Sequence, residues 1–208
     1  MVGRRALGAP IRKVGCPHRV ESFEGTLTAR RVHIARGLAL QAEVLLIDEP
    51  FAGLDAPTRG ELLHQSSHVI RDATRATLVV VHDAAEAWAL ADGLVVLLDG
   101  KVAAAGAVAD VMERPPTLES ARFLGFTGTL ASATGRVVAI RPADVELAPD
   151  GEHSGTVVAT TPTGDGLLCT IELGPGTVQA RADLPGPAIG AQVRVSIHGG
   201  VEYPEPSS

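Results

Sequence analysis

The sequence predicts an α/β part followed in series by a small all-β barrel, and three observations carry that prediction. The first is Val44-Leu45-Leu46-Ile47 followed by Asp48-Glu49-Pro50. Four consecutive apolar residues read as a short strand buried on both faces, as in the middle of a parallel sheet, and Pro50 stops it because it has no N–H for the ladder. The second is a further apolar run, Thr77-Leu78-Val79-Val80-Val81, which ends in His82-Asp83, with a helical stretch between the two runs. The third is a change near residue 130, after which the pattern becomes short runs of period two separated by Gly, Pro and Asp.

In open α/β sheets ligands sit at the carboxyl ends of the strands. Asp48 and Glu49 fall at such an end and are placed for chemistry; the plainer alternative is that they open a turn. His82 has the same placement after the second strand, its alternative being a strand-end histidine bonded to the backbone.

The elements follow in order. Residues 1 to about 25 carry scattered Arg and Lys at 4, 5, 12, 13 and 19, which read as a solvated segment in preference to a basic arm for acidic lipids. Residues 29–40 have helical spacing. Residues 56–75 form a second helix with Leu62, Leu63, Val69 and Ile70 facing inward and Pro57 tolerated in its first turn. His64 and His68 lie four apart on it, but with no third ligand in view they read as a solvated face and not a zinc pair. His33, in the first helix, reads as a surface or packing residue.

A short amphipathic helix at 84–92 precedes a strand at 94–98. Asp99-Gly100 is a two-residue hairpin signal leading to a strand from Val102. Gly106 is expected to begin a helix closed by Arg114-Pro115-Pro116. Gly128-Thr129, Ser132 and Gly135 read as a linker. Strands are then expected at 136–141, 145–148, 155–161, 167–173, 177–183 and 192–197, and closing so many short strands into a barrel removes exposed edges.

Composition bounds the function. The 208 residues suffice for one good-sized core or two small ones, and 45% hydrophobic content supports a folded chain. A net charge of −6 and an aromatic share of 3% argue against nucleic-acid binding, which needs cations for phosphates and rings for bases. Cys16 and Cys169 fall in different parts and read as reduced thiols. No stretch has the length of a transmembrane helix, and Arg4-Arg5 leads into no apolar signal region, so the expectation is a chain neither exported nor membrane-spanning.

The order of parts resembles the ATP-binding subunit of ABC transporters of importer type. The residues that carry the resemblance are the helix at Arg31 to Leu38, the strand with Asp48-Glu49, the Gly53-Leu54-Asp55 turn and the strand ending in His82, over roughly residues 27 to 125. The resemblance implies a partial P-loop NTPase domain, with Asp48 in the Walker B element orienting Mg²⁺ through water and Glu49 polarising the attacking water. It further implies that Asp55, in the D-loop, faces a partner subunit across an ATP-binding dimer, while His82 reaches the γ-phosphate. Phosphoryl transfer is mostly positioning and charge stabilisation, so these residue types suit those roles. The stretch Ile140-Arg141-Pro142-Ala143-Asp144-Val145 resembles the start of a TOBE domain, an OB-like barrel appended to importer ATPases. The expected division is 1–130 for the partial nucleotide-binding domain and 131–208 for the TOBE-like barrel. Within the barrel, Thr160, Thr161, Thr163 and Gly164 read as an ordinary turn, and no ligand is assigned to them.

The sequence departs from the family pattern in two places. Gly8 and Gly15 flank Ile11-Arg12-Lys13, but no stretch of the 208 residues supplies the G-x-x-x-x-G-K-[ST] phosphate loop. The Leu-Ser-Gly-Gly-Gln signature is replaced by Glu24-Gly25-Thr26-Leu27-Thr28, or begins at Leu27-Thr28, and either way its paired glycines are missing. Thr26 or Thr28 can still cap the helix.

The expected function is that of an ABC importer's ATP-binding subunit, or a fragment of one, coupling Mg-ATP binding and hydrolysis to solute uptake, and inactive as an isolated chain. The resemblance implies membrane-spanning permease subunits and a second ABC ATPase subunit as partners, no nucleic acid, and a cytoplasmic location peripheral on the inner face of the membrane. Two alternatives stay open: a regulatory or scaffold subunit pairing with an intact ATPase, and a truncated relic.

Overall fold

The computed structural model describes residues 32, 34–37, 39, 42–72, 76–132, 134–174 and 176–205. The expectations for Cys16, the basic residues near the start, the degenerate signature with Thr26 and Thr28, and His33 lie outside the described residues.

The first part is built on two parallel strands, β1 (Val44–Asp48) and β2 (Ala76–Val80), in the register Val44↔Ala76 to Asp48↔Val80. Parallel strands need a crossover, and α1 (Ala56–Asp72) supplies it. After β2 comes α2 (Ala84–Leu90), capped by Asp83, whose carboxylate accepts from the N–H groups of Ala85 and Glu86. The hairpin β3 (Gly93–Leu98) and β4 (Lys101–Ala107) turns at Asp99-Gly100, with φ of 48° and 73°. Positive φ at both central residues is the turn whose twist matches the strands it joins. Helices α3 (Val108–Glu113) and α4 (Leu118–Phe123) follow, the latter opened by a Thr117–Ser120 capping box.

The second part is one antiparallel sheet of eight strands in the order β12-β6-β5-β10-β9-β8-β11-β7. Its strands are β5 (Gly128–Ala131), β6 (Arg136–Ile140), β7 (Val145–Leu147), β8 (His153–Thr163), β9 (Gly166–Glu172), β10 (Thr177–Ala182), β11 (Gln192–Ile197) and β12 (Val201–Pro204). Ile140, from the second strand in that order, shares one core with Val145 from the last, and with Val157, Ile171, Val178 and Val195. A flat sheet would hold these far apart, so the sheet is curled, as the expected OB-like barrel requires. Cys169 lies in the same core, and burial pushes its thiol above the usual range, which makes it an inert packing group.

The structure corrects several local expectations. Of the residues read as a linker, Gly128-Thr129 open strand β5, paired with β6 (Gly128↔Ile140) and touching β10 (Thr177↔Thr129), while Ser132 and Gly135 lie in the turn between β5 and β6. Close approach explains the glycine: a Cβ at Gly128 would stand 3.1 Å from the Val178 Cα. Gly106 belongs to β4, opposite Leu94, and the helix starts two residues later. Strand β12 was not expected; it pairs with β6 at the sheet's end, where Pro204 is tolerated. On α1, Leu62 and Ile70 are buried but Val69 is half exposed.

Strand β1 is not buried on both faces. Val44, Leu46, Leu78 and Val80 are 48 to 59% exposed and share one side of the β1–β2 pair, because paired residues of a register point the same way. Among the described residues nothing covers that side. Leu45 and Ile47 point to the other, where Ile47 packs with Phe51, Leu54, Leu62, Ile70 and Val79.

Candidate functional site

Asp48 is the last residue of β1, and Glu49 extends the ladder by one more bond, its N–H donating to the Val80 carbonyl at 2.9 Å. Glu49 has φ of 43°, a left-handed conformation uncommon outside glycine, and it turns the chain away from the sheet at the strand's end. Pro50 and Phe51 then bury, and Phe51 anchors the turn in the core beneath. Gly53, at φ 75°, provides the reversal that lets Leu54 tuck into the same core and Asp55 start α1. His82 follows β2 by two residues. Asp48, Glu49 and His82 are therefore brought together at the carboxyl ends of neighbouring parallel strands, all exposed to solvent.

Asp55 is at the same end but engaged. Its carboxylate accepts from the Thr58 N–H at 2.9 Å and from the Thr58 hydroxyl at 3.0 Å, which caps α1. Those bonds from Thr58, backbone first and hydroxyl second, hold its carboxyl below the usual range, with Arg59 adding to the effect.

Two residues that the sequence did not single out complete the neighbourhood. Arg59, in the first turn of α1, donates to the Leu54 carbonyl at 2.9 Å and lies 3.6 Å from Glu86 and 3.8 Å from Asp83. Glu86 is buried on α2, and its charge environment includes Glu49 and His82. Burial pushes its carboxyl above the usual range and the Asp83 charge pushes the same way, while Arg59 opposes both. Glu86 was hidden because an acidic residue three positions after a cap reads as ordinary helix-start chemistry. Arg59 was hidden because its partners lie on another element.

His64 and His68 are exposed on α1, and among the described residues no group of three or more His, Cys, Asp or Glu is placed to hold a metal ion. No helix of the described residues is long and apolar enough to cross a membrane.

Residues 138–201 match the TOBE domain model. A molybdate/tungstate import ATP-binding protein of Thermococcus kodakarensis is 35% identical over 154 residues, covering 70% of this chain and 47% of that protein. A sulfate/thiosulfate import ATP-binding protein of Pseudomonas putida is 33% identical over 147 residues, 69% of this chain and 45% of its own length. The chain belongs to the ABC importer ATP-binding family. An aliphatic sulfonates import ATP-binding protein of Pseudomonas syringae pv. tomato reaches 46% identity over 98 residues, 46% of this chain and 36% of the relative. The chain spans about half the length of the curated relatives it matches. The residues matched by the TOBE domain model hold most of the curled eight-stranded sheet, and the strand-end cluster lies before them in the α/β part.

Proposed function

We propose that this chain works as the Walker B, D-loop and switch-histidine portion of an ABC importer's ATP-binding subunit, with a TOBE barrel behind it, and that it acts only together with a phosphate loop. The observation that supports this best is the β1–β2 register, which sets Asp48-Glu49 beside the strand that delivers His82. In this reading Glu49 polarises the attacking water, His82 donates to the γ-phosphate and Asp55 faces a second ATP-binding subunit. The whole assembly sits at the inner face of the membrane against permease subunits and moves a solute. The relatives named above are named for import of molybdate or tungstate, sulfate or thiosulfate, and aliphatic sulfonates, and an equally similar one of Streptomyces coelicolor for import of Fe(3+) ions, so they single out no one solute class. The two units divide just before Gly128, since β5 is part of the barrel sheet.

The donor set suits Mg²⁺ held mainly by water and phosphate. Asp48 offers one exposed hard oxygen donor, and Mg²⁺ commonly keeps several waters and takes one or two carboxylates plus substrate phosphates. When bound, the ion would neutralise charge developing on the transferred phosphoryl group. Asp48 would orient its water shell.

Without the Lys, the Ser/Thr hydroxyl and the amide cradle of a phosphate loop, little is left to hold a triphosphate. The 208 residues alone are expected to bind Mg-ATP weakly and to release no measurable phosphate. Phosphate release that disappears in Glu49→Gln would overturn that expectation.

A further inference from the structure

Arg59 and Glu86 form a pair in which the carboxylate is buried and the guanidinium only partly so, and neither belongs to the strand-end cluster itself. The Glu86 side chain is 2% exposed, and Arg59 Nε and Glu86 Oε1 are both buried with no hydrogen-bond partner. They face each other at 3.6 Å, outside hydrogen-bond range. Buried polar atoms left unpaired are rare and call for a cause. Stability is a poor one, because replacing a buried ion pair by apolar residues of similar volume is often neutral or stabilising.

The geometry points to another cause. The guanidinium is one rigid planar fork shared between two turns. Its Nη2 is committed to the Leu54 carbonyl at 2.9 Å, one residue before Asp55. Its Nη1 lies 3.8 Å from Asp83, which directly follows His82 and caps α2, and its Nε faces Glu86 in the first turn of that helix. Bringing Nε to the usual charge-assisted length of about 2.7–2.9 Å would move the fork and draw on its bond to Leu54. The charges facing Glu86 are of both signs, Asp83 on the negative side and Arg59 on the positive.

We infer that Arg59 is a positioning residue that ties the Gly53-Leu54-Asp55 turn to the His82-Asp83 turn, with Glu86 as its buried counter-charge, so that a displacement of either turn is carried to the other. Its purpose rests on the proposed ATP-site roles of Asp55 and His82, but the link itself needs no nucleotide.

Amide hydrogen exchange on the 208-residue chain tests it, comparing the parent with Glu86→Gln and Arg59→Lys. The reporters are the Thr58 and Arg59 amides, bonded to Asp55, and the Ala85 and Ala87 amides, bonded to Asp83. Rates are referred to the Val108 amide, which is bonded to the Asp92 carbonyl in the same α/β part, to remove any general loss of stability. Glu86→Gln, which keeps the side chain's volume, is expected to speed exchange at Thr58 and Arg59 on the order of tenfold, along with Ala85 and Ala87. Arg59→Lys keeps the charge but not the fork, and is expected to loosen both turns alike. The inference is overturned if Glu86→Gln affects only Ala85 and Ala87, or if all reporters change in step with Val108. Should Glu86→Gln not fold, Arg59→Lys decides: unchanged Ala85 and Ala87 exchange overturns the link. Failure to bind ATP would bear on the proposed function and leave this result standing.

Discussion

Tyr203 joins the barrel to the helices that precede it, and its hydroxyl is the group to remove. The ring, on edge strand β12, packs with Ala121, Phe126 and Ala139, and its Oη donates to the Pro115 carbonyl at 2.7 Å. Arg141 stands close by, its guanidinium 4.1 Å over the Phe126 ring and donating to the Met112 carbonyl. Tyr203→Phe keeps the ring and leaves the buried Pro115 carbonyl without its donor. A buried group deprived of its partner costs about 1–3 kcal/mol, partly offset here by the more apolar ring, so a net loss of roughly 1–2 kcal/mol is expected. If the barrel unfolds as its own unit, each kcal/mol lowers its midpoint by about 4–8 °C; if the chain unfolds as one unit, the figure is about 2–4 °C. Differential scanning calorimetry reads both the shift and the number of transitions. A midpoint that stays within about 1 °C of the parent would refute the joint, since a buried hydrogen bond would then have no measurable worth.

Asp55→Ala should lower the thermal midpoint by removing the α1 cap, whereas Asp55→Asn, which can still accept from Thr58, should lower it less; equal losses would contradict the capping role. Because the Asp55 carboxyl is held below its usual range, its contribution is present above the ordinary aspartate pKa and is lost as pH falls through the lowered value, so the parent's advantage over Asp55→Asn should shrink in acid. Glu86 has the opposite sign. Its raised pKa means the folded chain gains stability relative to Glu86→Gln as pH falls through that value toward the ordinary glutamate range, and denaturant titration between neutral and mildly acidic pH should show the gap changing in that direction. The side of β1–β2 bearing Val44, Leu46, Leu78 and Val80 should drive self-association, so Leu46→Lys with Leu78→Lys should reduce the sedimentation weight at high concentration; a parent chain that is monomeric at every concentration would count against it.

How much could be read from the residues depended on how local each signal was. The β1 strand, the Asp-Glu at its end and His82 after β2 were legible because each is a short run with a stop built into it. Strand β11 was found at 192–197 for the same reason, its alternation being bounded by turns. Strand β5 was not, since Gly128-Thr129 looks like a linker until β6 and β10 supply its hydrogen bonds. Strand β12 is four residues long and lies among Gly199, Gly200 and Pro204, all of which read as loop. The double burial expected of β1 failed because a continuous apolar run cannot say which face has a neighbour. At the site, Asp48, Glu49, Asp55 and His82 were each visible, but the Arg59–Glu86 pair was not, because a salt link between two helices leaves no spacing in the chain.

The most direct measurement joins the first part of an ABC ATPase that carries a G-x-x-x-x-G-K-[ST] phosphate loop to residues 42–208 of this chain, and follows phosphate release and Mg-ATP-dependent thermal stabilisation. The account predicts stabilisation by Mg-ATP in both the parent fusion and its Glu49→Gln form, with phosphate release in the parent alone, at least about a hundredfold above the variant. No stabilisation by Mg-ATP, or phosphate release that is the same with Gln at position 49, would contradict the assignment of the β1–β2 strand ends as the hydrolytic side of an ATP site.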